Sequence, residues 1–356
     1  MRLLPLLVLV CVLSLSGPVR PAAAAESDFR PAILLDEDRS RPHDAGGGFV
    51  DMALAGAHAF TTLTGQPVAE FALASADDSA PMPLAHQAQR ALEQGYTALI
   101  GVGFSYKQAF AELAPRYPDV RFVLIDASVF GMNVQSLVFR EHEGAYLMGV
   151  IAATASSRDH VGFVGGWDSP LIRRFACGFV QGARSVTPDV AIEMAMAGDD
   201  VSAFHDPEAG YRLARQQFEA GADVVFHAAG HTGAGVIRAA AETEARFAIG
   251  VDYNQNGEAP GHVLTSMLKR VDIAVFRSLK SLAGGTWTPG THVLGLPVGG
   301  IGWALDEHNV HLFSDETYRA IAEAEFAILV GDIVVNAYST DSGCPGHAFE
   351  PAGTTP

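Results

Sequence analysis

Short apolar runs alternate with amphipathic stretches along most of the chain, and the two periods are distinct. Strand-like runs fall at 32–35, 68–73, 98–102, 122–125, 134–139, 160–164, 192–196, 224–227 and 247–251. Between them, apolar residues recur at helical spacing, as in Phe49, Met52, Ala57, Phe60, then Ala85, Ala88, Ala91, Leu92, and later Tyr211, Ala214, Phe218. Strand, helix, strand repetition predicts parallel sheets with right-handed crossovers, covered on both faces. The order resets near residue 140, where the strand 134–139 feeds a helix over 141–155 and opens a second series. Two similar lobes follow. Beyond residue 251 the pattern continues with a strand at 263–268, a helix at 271–282, an extended stretch at 292–299 and a helix at 316–327. Such trailing elements can cross back, which makes both lobes discontinuous. We therefore expect lobe one to comprise 26–139 plus about 253–290, lobe two 140–252 plus about 291–345, and 346–356 to be a tail.

The amino terminus changes this picture. Arg2, the apolar run 3–15, and then Pro18, Arg20, Pro21 and Ala22 to Ala25 read as a secretory signal peptide cleaved after Ala25. The run is too short for a membrane span. Cys11 follows Val8, Leu9 and Val10 in place of the small residues of a lipid-attachment site, so we expect a soluble periplasmic protein without lipid. Cys177 and Cys344 remain after cleavage; in an oxidising compartment they either pair or leave Cys177 packed in the apolar pattern of Phe175, Phe179 and Ala183.

Composition then removes whole classes of function. The 356 residues carry 23 Lys and Arg against 40 Asp and Glu, a formal charge of −17, and 49% are hydrophobic. That balance is globular, and it opposes binding to nucleic-acid phosphates or anionic lipid. No zinc-type Cys/His spacing and no His-Glu-x-x-His motif occurs, so no metal or cofactor is expected. Gly101-Val-Gly-Phe-Ser lacks the spacing of a nucleophile elbow, and Gly233-Ala-Gly-Val-Ile-Arg lacks the third glycine of a dinucleotide fingerprint. We expect no catalysis.

Ligands of open α/β sheets sit beyond the carboxyl ends of the strands. The residues there are Asp36, Glu37 and Asp38, then Gly103 and Phe104, Asp126, 165–168, 226–231 and Asp252. Acceptors and rings dominate. The set suits a hydroxylated, aromatic, uncharged or cationic ligand and does not suit a phosphate or a dicarboxylate.

Three blocks carry a resemblance: Phe139-Arg-Glu-His-Glu-Gly-Ala-Tyr-Leu-Met-Gly-Val-Ile-Ala-Ala153, Gly162-Phe-Val-Gly-Gly-Trp-Asp-Ser-Pro-Leu-Ile-Arg-Arg-Phe175 and Thr265-Ser-Met-Leu-Lys-Arg-Val271. With them the chain resembles the basic membrane protein (Bmp) family of ABC-transporter substrate-binding proteins. The resemblance implies a type I periplasmic binding protein, with two Rossmann-like lobes, hinge crossovers and a central cleft that closes on a purine nucleoside. It implies a monomer delivering its ligand to an ABC permease in the inner membrane. A more apolar ligand, or a sensor role at a membrane receptor, is the alternative. Carried over, Asp252 and Lys269 hold the ribose, while Asp126 and Asp44 face base or sugar. Phe226 stacks on the base, and Phe49 and Phe104 line the cleft. The chain departs from the family where Val50 replaces an asparagine and where Ala53 and Leu54 replace an aromatic. His231 and Trp167 are candidate substitutes for the missing ring, and Val50, Met52 and Leu54 predict a roomier, more apolar wall on the base side.

Overall fold

The structure is a computed structural model that describes residues 29–38, 48–73 and 84–345. The first series runs β1 (Pro31–Asp38), α1 (Phe49–Thr64), β2 (Ala69–Leu73), α2 (Leu84–Glu93), β3 (Ala98–Val102), α3 (Lys107–Leu113), β4 (Arg121–Ile125) and β5 (Val134–Phe139). The second runs α4 (Glu141–Ala155), β6 (His160–Trp167), α5 (Pro170–Val186), β7 (Ala191–Gly198), α6 (Pro207–Ala220), β8 (Val224–Ala228), α7 (Gly233–Ala241), β9 (Phe247–Asp252) and β10 (Val263–Lys269). The chain ends with α8 (Val271–Ala283), β11 (Gly290–Leu294), β12 (Ile301–Trp303) and α9 (Asp315–Val330). Among the described residues the strands form two six-stranded sheets, ordered β11-β5-β4-β3-β1-β2 and β12-β10-β9-β8-β6-β7. Every pairing is parallel except β10 with β12. Central strands read as unbroken apolar runs because helices cover both faces; all five residues of β3 are buried.

Local signals fix the helix ends. Ser169 accepts from the Ile172 amide and Pro170 opens α5, while Asp206 caps α6 ahead of Pro207. Helices approach most closely where glycine removes a side chain. A Cβ on Gly178 or Gly182 of α5 would fall 2.3 or 1.9 Å from the carbonyl oxygens of His142 and Tyr146 on α4. Gly56 of α1 meets the Asp272 carbonyl of α8 in the same way, at 2.3 Å. Each lobe is thereby locked to the helix that follows a crossover.

The lobe boundaries differ from the sequence expectation at two strands. β10 follows β9 through a loop and pairs with it, Val263 opposite Ala248, so 263–269 stays in the second sheet and the chain leaves that lobe only at Arg270. β11 pairs with β5, Gly290 opposite Gln135, and closes the edge of the first sheet. Three segments therefore pass between the lobes: Phe139 to Glu141, Lys269 to Val271, and Gly295 to Gly300. Backbone bonds tie them together, from the Arg140 amide to the Leu294 carbonyl (3.0 Å) and from the Arg270 amide to the Gly300 carbonyl (2.9 Å). The Glu143 carboxylate adds bonds from the Leu296 amide (3.0 Å) and the Arg140 guanidinium (2.8 Å).

Cys177 and Cys344 form a disulfide. It fastens the carboxyl-terminal segment to α5, where the Asn336 amide donates to Gln181 (3.1 Å) and Arg173 donates to the Tyr338 hydroxyl (3.1 Å). Among the described residues no helix is long and apolar enough to cross a membrane.

Candidate functional site

The carboxyl ends of both sheets open on one cleft of about 700 Å³. At its centre lies Lys269, the last residue of β10. Its ammonium donates to Asp126 Oδ2 at 2.6 Å and lies 3.5 Å from Glu141. Asp126 follows β4 of lobe one and Lys269 ends a strand of lobe two, so this ion pair joins the lobes. The side chains of Lys269, Asp126 and Glu141 are 2%, 5% and 0% exposed. A buried charge must be paired. Burial works against the ammonium, and Asp126, Glu141 and Asp252 outweigh it, holding the lysine pKa above its usual value. Arg174 of α5 donates to Glu141 at 3.1 Å and fixes the carboxylate from behind. The rings of Phe49, Phe139 and Phe175 lie 5.2, 5.0 and 5.7 Å from the ammonium, so its sides are screened and its head is directed at the carboxylates.

Asp126 and Asp252 share an unusual backbone, with φ of 67° and 68°. Left-handed non-glycine residues cluster at functional sites, and Asp is among the residue types that tolerate the conformation. The twist turns each side chain off the end of its strand into the cleft. Burial pushes Asp252 up to about 6, only partly opposed by Lys269. Burial also raises Asp126 against the pull of Lys269, and its second oxygen, Oδ1, is buried without a hydrogen-bond partner. An acceptor in that state is open to a donor from a ligand. Asp36, at the end of β1, is pushed up to about 6 by burial, partly offset by a hydrogen bond with Ser105.

The predicted residues fall into four groups. Asp126, Asp252, Lys269, Phe49, Phe104 and His231 line the cleft. Asp44 lies outside the described residues. Trp167 is absent from the lining, but its ring packs 5.6 Å from that of Phe104, so the two aromatics touch from opposite lobes. Phe226 does not reach the cleft. It sits inside β8, fully buried, with Phe163 and Phe179 each 5.6 Å away, and is a core residue with no face for a base.

The expected apolar wall is also corrected. Val50 lines the cleft, but Ala53 and Leu54 turn into the core of α1 and Met52 is outside the lining. The neighbouring wall residues are Asp36, Glu37 and Asp51, so this wall is acidic. Sequence reasoning missed Phe204 and Phe175, which offer rings from lobe two, and Glu141 with Arg174 behind the lysine. Phe204 was findable: it lies beyond the carboxyl end of β7, just before the Asp206-Pro207 cap of α6. A Cβ on Gly166 would fall 2.4 Å from its ring, which shows how closely strand β6 lets it approach. Among the described residues no cluster of His, Cys, Asp and Glu is arranged to hold a metal ion.

Comparison with known proteins agrees with this geometry. Residues 65–338 match the model of the Bmp family, described as ABC transporter substrate-binding protein PnrA-like. An ABC transporter nucleoside-binding protein, BmpA, of Lactococcus lactis subsp. cremoris is 34% identical over 261 residues, covering 68% of this chain and 72% of that protein. An uncharacterized lipoprotein of Pyrococcus abyssi is 33% identical over 278 residues, covering 74% of this chain and 68% of its own. Among solved structures, an ABC transporter solute-binding protein from Aeropyrum pernix K1 superimposes with a TM-score of 0.74 at 27% identity, covering 88% of this chain and 95% of that one. The two sheets, their crossovers and the cleft between them are those of a type I periplasmic binding protein. With the family model spanning most of its length, the chain belongs to the Bmp family of ABC-transporter substrate-binding proteins.

Proposed function

We propose that the protein is an exported, soluble receptor that binds a nucleoside between its lobes and presents it, as a monomer, to an ABC permease in the inner membrane. The observation that carries the reading is the Asp126, Lys269, Asp252 group where the lobes meet. A ribose offers vicinal hydroxyls that one carboxylate accepts together, while an ammonium donates to a further sugar oxygen. Each charged hydrogen bond contributes about 1.5 to 3 kcal/mol. Phe49, Phe104, Phe175 and Phe204 supply ring faces for a base. The name of the Lactococcus relative, a nucleoside-binding protein, supports the same ligand class. Asp36, Glu37 and Asp51 also line the cleft, so among the described residues the charged side chains of that wall disfavour a nucleotide's phosphate.

Calorimetry on protein purified without refolding tests the reading. Asp252→Ala weakens a ribonucleoside by about 2 kcal/mol and leaves the free base nearly unaffected, and 2′-deoxy analogues lose part of the same energy in the native protein. Equal losses for base and nucleoside would assign Asp252 to the hinge and not to a sugar.

A further inference from the structure

Among the described residues, the half of the cleft wall that comes from lobe one carries four carboxylates, Asp36, Glu37, Asp51 and Asp126, and no Lys, Arg, Asn or Gln. Val50, beside Phe49 in that wall, has an apolar side chain and adds no donor. Two of the carboxylates are built into the floor. Asp126 spends one oxygen on Lys269 and holds the other, Oδ1, buried and unpartnered. Asp36, half-buried, packs against the Gly103 backbone, which at φ 103° has no Cβ to displace it; a Cβ there would fall 3.0 Å from Asp36 Oδ2. Its hydrogen bond with Ser105 uses one of the several acceptor positions a carboxylate offers.

A wall of acceptors recognises donors. A carbonyl oxygen set against it leaves two acceptors facing each other, whereas an amino group satisfies the buried oxygens, and rejection is strongest when a built-in polar group is left unpaired. We infer that the lobe-one wall selects nucleosides whose base carries an exocyclic amino group, with Asp36 and Asp126 Oδ1 as its acceptors. This rests on the nucleoside reading above and adds the specificity to it.

The test uses two ligand pairs that each differ by one amino group: guanosine against inosine, and adenosine against purine riboside. In calorimetric titrations of the wild-type protein, the amino member of at least one pair binds tenfold or more tighter, and Asp36→Asn, its fold checked by circular dichroism, shrinks that ratio. If all four bind with less than a tenfold ratio in both pairs, the specificity inference is wrong while the nucleoside reading stands. If none of the four binds, both fall. A tenfold ratio that Asp36→Asn leaves unchanged overturns the assignment of Asp36 as the amino group's acceptor. The wild-type titrations decide the matter even where the variant fails to fold.

Discussion

The two lobes are versions of one design that differ where it matters for binding. In each, an Arg-Phe pair (Arg121-Phe122, Arg246-Phe247) opens a strand that is third from the same edge of its sheet and leads to a left-handed aspartate, Asp126 or Asp252. In each, the next strand carries a serine (Ser136, Ser266) and reaches a crossover arginine whose amide bonds to the third crossing segment (Arg140 to Leu294, Arg270 to Gly300). The residue before that arginine breaks the likeness: it is Phe139 in one lobe and Lys269 in the other. Lobe two therefore supplies the positive charge at the centre of the cleft, and lobe one supplies a ring beside it and a carboxylate opposite. The common scaffold fixes where side chains emerge, and the asymmetry at a few of those positions sets a lysine of lobe two against a carboxylate of lobe one in the cleft.

The sharpest way to break the comparison is to erase its asymmetry. Lys269→Met leaves Asp126 buried without its cation and Glu141 with Arg174 alone, and costs about 3 to 5 kcal/mol in denaturant unfolding, whereas Phe139→Leu at the matching position costs about 1 kcal/mol. Comparable costs would mean that the lysine is an ordinary packing residue. Next in size is the disulfide, a device of lobe two alone among the described residues. Replacing Cys177 and Cys344 by alanine lowers stability by about 2 to 4 kcal/mol. Hydrogen exchange should locate the loosening in α5 and 333–345, and a loss of protection spread equally over lobe one would contradict the assignment.

Smallest is a gain, confined to lobe one. Asp36 rises from 3.8 to about 6 on burial, so folding takes up a proton between those values and the native protein loses stability as pH rises through that window. Asp36→Asn has no such loss. Without ligand it matches the native protein near pH 4 and exceeds it by about 1 to 3 kcal/mol at pH 7. Thermal unfolding at the two pH values checks the sign. A gain of the same size at both would show that the carboxylate's charge is not what costs stability.

Strands buried on both faces, such as β3 and β4, were plain in the sequence, because unbroken apolar runs between turn residues have no other comfortable place. So was the cleft, since the rule that ligands sit beyond strand ends named Asp126 and Asp252. The same rule, applied strictly, separates Phe226 from Phe204. Phe226 lies mid-strand, on the face that alternation turns toward Phe163 and Phe179, and Phe204 lies past a strand end. The assignment of β10 and β11 to lobes was not legible, because which sheet a trailing strand joins depends on the free edges left by the others. Nor was the pairing of Lys269 with Asp126, 143 residues apart, or the burial of Glu141 and Arg174 behind it. Those follow from the meeting of two lobes that local pattern describes one at a time.

The central claim is that one small molecule is held by both lobes at once, so that its binding energy favours the closed arrangement. Small-angle X-ray scattering of the native protein, with and without a saturating purine ribonucleoside, tests it most directly. The account predicts a smaller radius of gyration with the nucleoside and no such change in Asp252→Ala at the same ligand concentration. A profile that stays the same in the native protein when calorimetry shows the site to be full would contradict it.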